Sequence, residues 1–195
     1  MKQEFQTYRD YVIEIIIDEY PENPRDNDNL AKLVCSHDKY KLGDKQVVDA
    51  DDYFEEFSGL YMNDFEDLKD FYVKAKELIE SKYVVLPLYL YDHSGITMST
   101  KPFSCMWDSG QVGFALIEIE KFRKDFQVEH INREEVEKYI RQEVETYDTY
   151  LRGNVLAYKI TNSEGEEEIG GGYYEKQDAI NDAKIIIDSK YKTED

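Results

Sequence analysis

Basic residues are scarce in this chain: 24 Lys and Arg stand against 43 Asp and Glu, a formal charge of −19 over 195 residues. Binding a phosphate backbone requires patches of Lys and Arg, which excludes nucleic acid as a direct ligand. Long hydrophobic runs are also missing. None approaches the ~18 apolar residues of a membrane helix, so no membrane association is expected. The N-terminal stretch MKQEFQTYRDYVIEIIIDEY has charges on both sides of a short apolar run and reads as a strand rather than a secretory signal. Only two cysteines occur, Cys35 and Cys105, far apart in the chain. They are expected to be reduced thiols in a cytoplasm rather than a disulfide framework. There is one tryptophan, Trp107, and the chain has no glycine-rich phosphate loop, internal repeat or interdomain linker. Without such loops and without short βαβα alternation, a doubly wound nucleotide-binding fold is excluded, and no motif calls for a cofactor.

What is present argues for a packed core. Hydrophobic residues make up 41% of the chain, with 17 Tyr and 9 Phe, which separates it from a disordered acidic tail. The acid must therefore lie mainly on the surface of a folded body. Tyr11–Tyr20 alternates, with Tyr11, Ile13, Ile15 and Ile17 on one face, and predicts a strand. PENPRDNDN is a loop, and Leu30–Leu42 fits either a short helix or an extended segment. Asn63, with Glu66 three residues on, predicts the start of a helix running to about Ser81 with Phe65, Leu68, Tyr72, Ala75, Leu78 and Ile79 as its apolar stripe. Val84–Tyr91 and Gln111–Ile119 are strands, and EKFRKDF has room for one helical turn. Asn132 caps a further helix, with Glu135 at its third position and Val136, Ile140, Val144, Tyr147 and Leu151 on one face. Asn154–Thr161 and Glu166–Tyr174 form a hairpin around NSEG, with a bulge or close backbone approach expected in GGGYY. Glu175–Tyr191 is a last helix. The sum is an α+β fold: a mostly antiparallel sheet of about five strands with about three helices packed on it. It reads as a single domain over 1–195, with 20–62 as an irregular acidic insert or small subdomain.

Two kinds of site can be drawn from these residues. The polar connection between the central strands holds Asp92, His93, Cys105, Trp107 and Asp108. Cys35, His37, His93 and Cys105 are the residue types of a zinc tetrahedron, but Cys35 and His37 would alternate across a strand. Cys105 with His93 as base and Asp92 or Asp108 as orienter has the parts of a nucleophilic site, without a signature spacing. A calcium cage from Asp92, Asp108 and loop carbonyls lacks an EF-hand's spacing. The glycines there read as turn chemistry, and Trp107 is expected to pack under the loop. The acidic surfaces differ in kind. Asp49, Asp51, Asp52, Glu55 and Glu56 crowd one stretch, and Glu134, Glu137, Glu145 and Asp148 lie on the Asn132-capped helix. That helix carries roughly one carboxylate per 4 Å of axis, against one phosphate charge per ~1.7 Å in a duplex.

The segments DNLAKLVCSHDKYKLGD (Asp28–Asp44), LPLYLYDHSGITMST (Leu86–Thr100), PFSCMWDSGQVGF (Pro102–Phe114) and VETYDTYLRGNVLAYKI (Val144–Ile160) resemble an uncharacterised family of small acidic proteins of phages, plasmids and integrative elements. DHSG and WDSGQVG are its distinctive part. Gly170-Gly171-Gly172-Tyr173 departs from it, since similar proteins often carry a Cys-Trp-Gly-Phe-type stretch there. The resemblance implies a mobile-element accessory protein working in a bacterial cytoplasm, and it assigns no catalytic residue. Together with the charge it leads to one expectation: an anti-defence (anti-CRISPR or anti-restriction) inhibitor that mimics nucleic acid. It would bind a basic, nucleic-acid-binding host protein through the nine acidic residues named above. The alternative is a small metal-binding protein or hydrolase using the Asp92–Asp108 loop.

Overall fold

The computed structural model describes residues 5–191. In chain order its strands are β1 (Phe5–Tyr8), β2 (Tyr11–Ile17), β3 (Lys32–Cys35), β4 (Lys45–Gln46), β5 (Tyr83–Asp92), β6 (Ile96–Ser99), β7 (Ser109–Glu118), β8 (Leu156–Thr161) and β9 (Glu167–Tyr173). Its helices are α1 (Ala50–Ser58), α2 (Leu68–Lys82), α3 (Ile119–Phe126), α4 (Arg133–Leu151) and α5 (Lys176–Tyr191). The fold is α+β, but among the described residues the strands form two sheets rather than one, and there are five helices where three are expected. No helix among the described residues is long and apolar enough to cross a membrane.

The chain divides into two compact units, one from the chain up to Asp26 and from Thr149 on, the other from Asn27–Asp148. The first unit has an antiparallel sheet in the order β1-β2-β8-β9. Alternation along β2 works as its sequence implies. Ile13 is buried with Tyr158, Ile160, Ala179, Ala183 and Ile187, and Tyr11 and Ile15 pack against that cluster from the same face. The three α5 residues recur every four positions, which turns one stripe of the helix onto the sheet. On the other face of β2, Glu14 is only 6% exposed and lies 3.5 Å from Lys159, its neighbour across the ladder.

The hairpin turns at Gly165 (φ +85°), and the register of β8 against β9 shifts between Leu156 and Tyr158, opposite the glycines, where the bulge is expected. A Cβ on Gly170 would meet the Tyr158 ring at 2.4 Å, and one on Gly171 would meet the Asp18 carboxylate at 2.1 Å. Gly172 then donates its N–H to that carboxylate at 2.9 Å. The glycine run is therefore a seat for Asp18 and Tyr158.

The second unit holds the sheet β4-β3-β7-β5-β6, in which only β3 and β4 run parallel. Leu30–Leu42, equivocal in sequence, contains β3. The acidic stretch after it holds helix α1 at Ala50–Ser58, with Asp49 accepting the amides of Asp51 and Asp52. One side of α1 is aromatic. Tyr53 stacks on Phe114 with ring centroids 4.2 Å apart, and Tyr53, Phe57, Val34, Ile79 and Leu116 close a core. Helix α2 starts later than expected. Met62–Asp64 is a single 3-10 turn, Phe65 is extended, and Asp67 rather than Asn63 caps α2 by accepting the Lys69 amide at 2.8 Å. Its buried stripe is Phe71, Ala75 and Ile79, while Leu68 is exposed.

Along β5 the residues Val84, Leu86, Leu88 and Leu90 are buried on the second face of the sheet. Helix α4 begins as expected, with Asn132 accepting the Glu134 amide at 3.0 Å, and buries Val136, Ile140, Val144 and Tyr147. It is tied to the unit by side chains that accept backbone N–H groups: Glu143 from Leu30 and Ala31, and the Tyr147 hydroxyl from Gly43.

Burial pushes the Tyr53 phenol upward, and burial with a hydrogen bond to Asp182 raises Tyr173 to about 12. Lys159 and Lys190 are also raised, chiefly through Glu167 and Glu168. All four groups bind protons more tightly when folded. Their contribution is fully present below about pH 10 and is lost as the pH climbs through the raised values. Denaturant midpoints are expected to hold between about pH 7 and 9 and to fall between about pH 10 and 12, with Tyr53→Phe flattening the decline. A midpoint that rises across that alkaline window would contradict the placement of these phenols.

Candidate functional site

The connection between β5 and β7 is shorter on loop than the sequence suggests, because β6 pairs back on β5 through a tight turn at His93–Gly95. Ser94 takes φ +59° there, and the His93 N–H donates to the Gly95 carbonyl. The neck is closed by the Asp92 N–H donating to the Asp108 carbonyl at 2.8 Å. Above it, Asp108 is the hub. Its Oδ2 lies 3.3 Å from His93 Nδ1 and accepts the Cys105 thiol at 3.6 Å. Asp92 instead accepts the Tyr40 hydroxyl at 3.3 Å and lies 3.4 Å from Lys39 Nζ.

The four zinc-type residues divide between unrelated tasks. Cys35 is fully buried in β3. His37 Nδ1 accepts the amides of Lys39 and Tyr40, which shapes the turn after β3. His93 and Cys105 share Asp108. Among the described residues no group of three or more His, Cys, Asp and Glu is arranged to hold a metal ion. In the nucleophile arrangement the Cys105 thiol donates to the Asp108 carboxylate rather than to His93.

Trp107 overturns its expectation. It is 96% exposed and Met106 86% exposed, so neither packs under the loop. The cause is local: Cys105 is engaged by Asp108 and by the Ser109 hydroxyl, which donates to the Cys105 carbonyl. Residues 105, 108 and 109 thereby close a turn, and 106–107 are left at its tip.

Most of the nine acidic residues also have internal tasks. Asp49 caps α1, Asp52 accepts the Val48 amide, and Asp51 accepts the Tyr72 hydroxyl, which keeps that phenol protonated above its ordinary range. Glu55 accepts the Met62 amide and Glu56 pairs with Lys45. On α4, Glu137 pairs with Arg141 at 2.6 Å and Asp148 accepts the Met98 amide at 2.7 Å, while Glu134 and Glu145 are exposed. These bonds orient the carboxylates without removing their charge. The first unit adds an acidic recess that the sequence reading passed over. Asp10, Glu164, Glu166, Glu167 and Glu168 line a cavity of about 770 Å³ together with Lys190. The GEEE run beside the hairpin turn was its visible signal.

No family model, curated protein or solved structure matches this chain.

Proposed function

We propose that the protein is a non-catalytic inhibitor that sets ordered carboxylates against the basic nucleic-acid-binding groove of a host defence enzyme. The observation that carries this reading is the charge of −19 on a chain whose cores are apolar and aromatic. Such a surplus opposes folding by self-repulsion, and contact with a basic surface relieves that repulsion. Seven of the nine carboxylates are held by caps, hydrogen bonds or ion pairs, so little side-chain ordering is left to lose on binding at those positions. The resemblance to mobile-element proteins supplies the setting, a bacterial cytoplasm containing restriction or CRISPR effectors. Capture of host proteins on the immobilised chain, repeated at rising salt, tests it. The expected outcome is a nucleic-acid-binding protein with a basic groove, its affinity falling by about 10³-fold or more between low and physiological salt, as for a polyanion with several contacts. A captured partner whose affinity ignores salt would overturn the reading.

A further inference from the structure

We propose that the recess beside Trp107 receives a single arginine side chain from a partner protein. It names one contact of the basic partner inferred above and rests on that reading for the partner alone. The chemistry of the recess stands on its own residues. A cavity of about 360 Å³, suited to a side chain rather than a large cofactor, is lined by Leu90, Asp92, Trp107, Asp108, Ser109 and Gly110. An indole exposed to 96% at the tip of a closed turn offers its face to a cation, and tryptophan is the best ring for that contact. Asp92 and Asp108 stand next to each other across the neck, and their present contacts are long, between 3.3 and 3.6 Å. Both therefore keep acceptor capacity for a stronger donor.

A planar guanidinium satisfies both demands at once, stacking on the indole while its N–H fork meets a carboxylate. An ammonium can do only part of this, and a phosphate is repelled by two carboxylates. His37 and Lys39 line the recess as well. Lys39 is 72% exposed and 3.4 Å from Asp92, a surface pair that contributes little and can give way to an entering arginine. Paired Trp and Arg anchors are what interface hot spots are commonly made of.

Trp107 is the only tryptophan, so its indole resonance and its fluorescence report on this recess alone. The test titrates the intact protein with a blocked Gly-Arg-Gly peptide, with the citrulline peptide of the same shape and no charge, and with the lysine peptide. Saturable shifts of the indole N–H and of the Ser109 and Gly110 amides are expected with arginine, at about tenfold higher affinity than with citrulline. Trp107→Ala should abolish the amide shifts, and the Asp92→Asn, Asp108→Asn pair should weaken the titration while the fold persists. Equal responses to arginine and citrulline, or a titration unchanged in the double asparagine variant, would overturn the inference even with salt-sensitive capture intact. An arginine response together with salt-insensitive capture would uphold the recess and sink only the mimicry reading.

Discussion

Gly113→Ala is expected to cost about 3 kcal/mol or more, enough to strip much of the 5–15 kcal/mol that holds a typical domain folded. Gly113 lies in β7, with Cys35 of β3 on one side and Leu88 of β5 on the other. A Cβ there would sit 2.0 Å from the Val34 carbonyl oxygen and 2.9 Å from the Cys35 Cα. Both are backbone atoms of a paired strand, so no rotamer change clears the space. Relief requires moving β3, which carries Leu33, Val34 and Cys35 into the core. Gly110→Ala, in the same strand with nothing within 4 Å of its Cβ, is the control and should change stability by less than about 1 kcal/mol. Denaturant unfolding of the two variants separates them, and equal midpoints would refute the β3–β7 register.

The second large effect concerns binding. Replacing the nine acidic residues Asp49, Asp51, Asp52, Glu55, Glu56, Glu134, Glu137, Glu145 and Asp148 with Asn or Gln takes the charge from −19 to −10. Amides keep the acceptor oxygens that Asp49, Asp52, Glu55 and Asp148 use toward backbone N–H groups. Asparagine caps a helix about as well as aspartate. The ion pairs lost at Glu56 and Glu137 are partly exposed and worth about 0–1 kcal/mol each. The variant should therefore melt close to the parent while its affinity for a basic groove falls by about 100-fold or more. Charge reversal would confound these effects, since a lysine at position 49 or 148 also removes a bond the fold uses.

Those internal bonds bear on how much could be read without coordinates. The Asn132 cap and the Val136–Ile140–Val144–Tyr147 stripe were legible because helix period and solvent exposure agree there. The β8–β9 hairpin and its glycine bulge were legible because turn residues and close approaches have few other uses. Helix α1 was not. Its nine residues are too short for a periodic signal, and its capping Asp49 is indistinguishable in sequence from the surface acids around it. The start of α2 was misplaced because Asn63 and Asp67 are both competent caps, and the extended backbone at Phe65 (φ −114°) decides between them. The division into two sheets rests on pairings such as Ile13 with Ile160, which bring distant strands together and leave no local pattern. The site residues followed the same rule. The sequence places Asp92, His93, Cys105 and Asp108 in one connection, but that His93 and Cys105 share Asp108, that Asp92 turns to Tyr40 and Lys39, and that Trp107 faces water depend on a closed turn that only the structure reveals.

The most direct measurement is displacement. A labelled duplex or guide RNA is bound to the captured effector, and the protein is titrated in at low and at physiological salt. The parent chain is expected to release the nucleic acid competitively, more weakly as salt rises. The nine-amide variant, equally folded, is expected to need about 100-fold more protein for the same release. Equal displacement by parent and variant, or a ternary complex in which the effector holds both ligands, would contradict it.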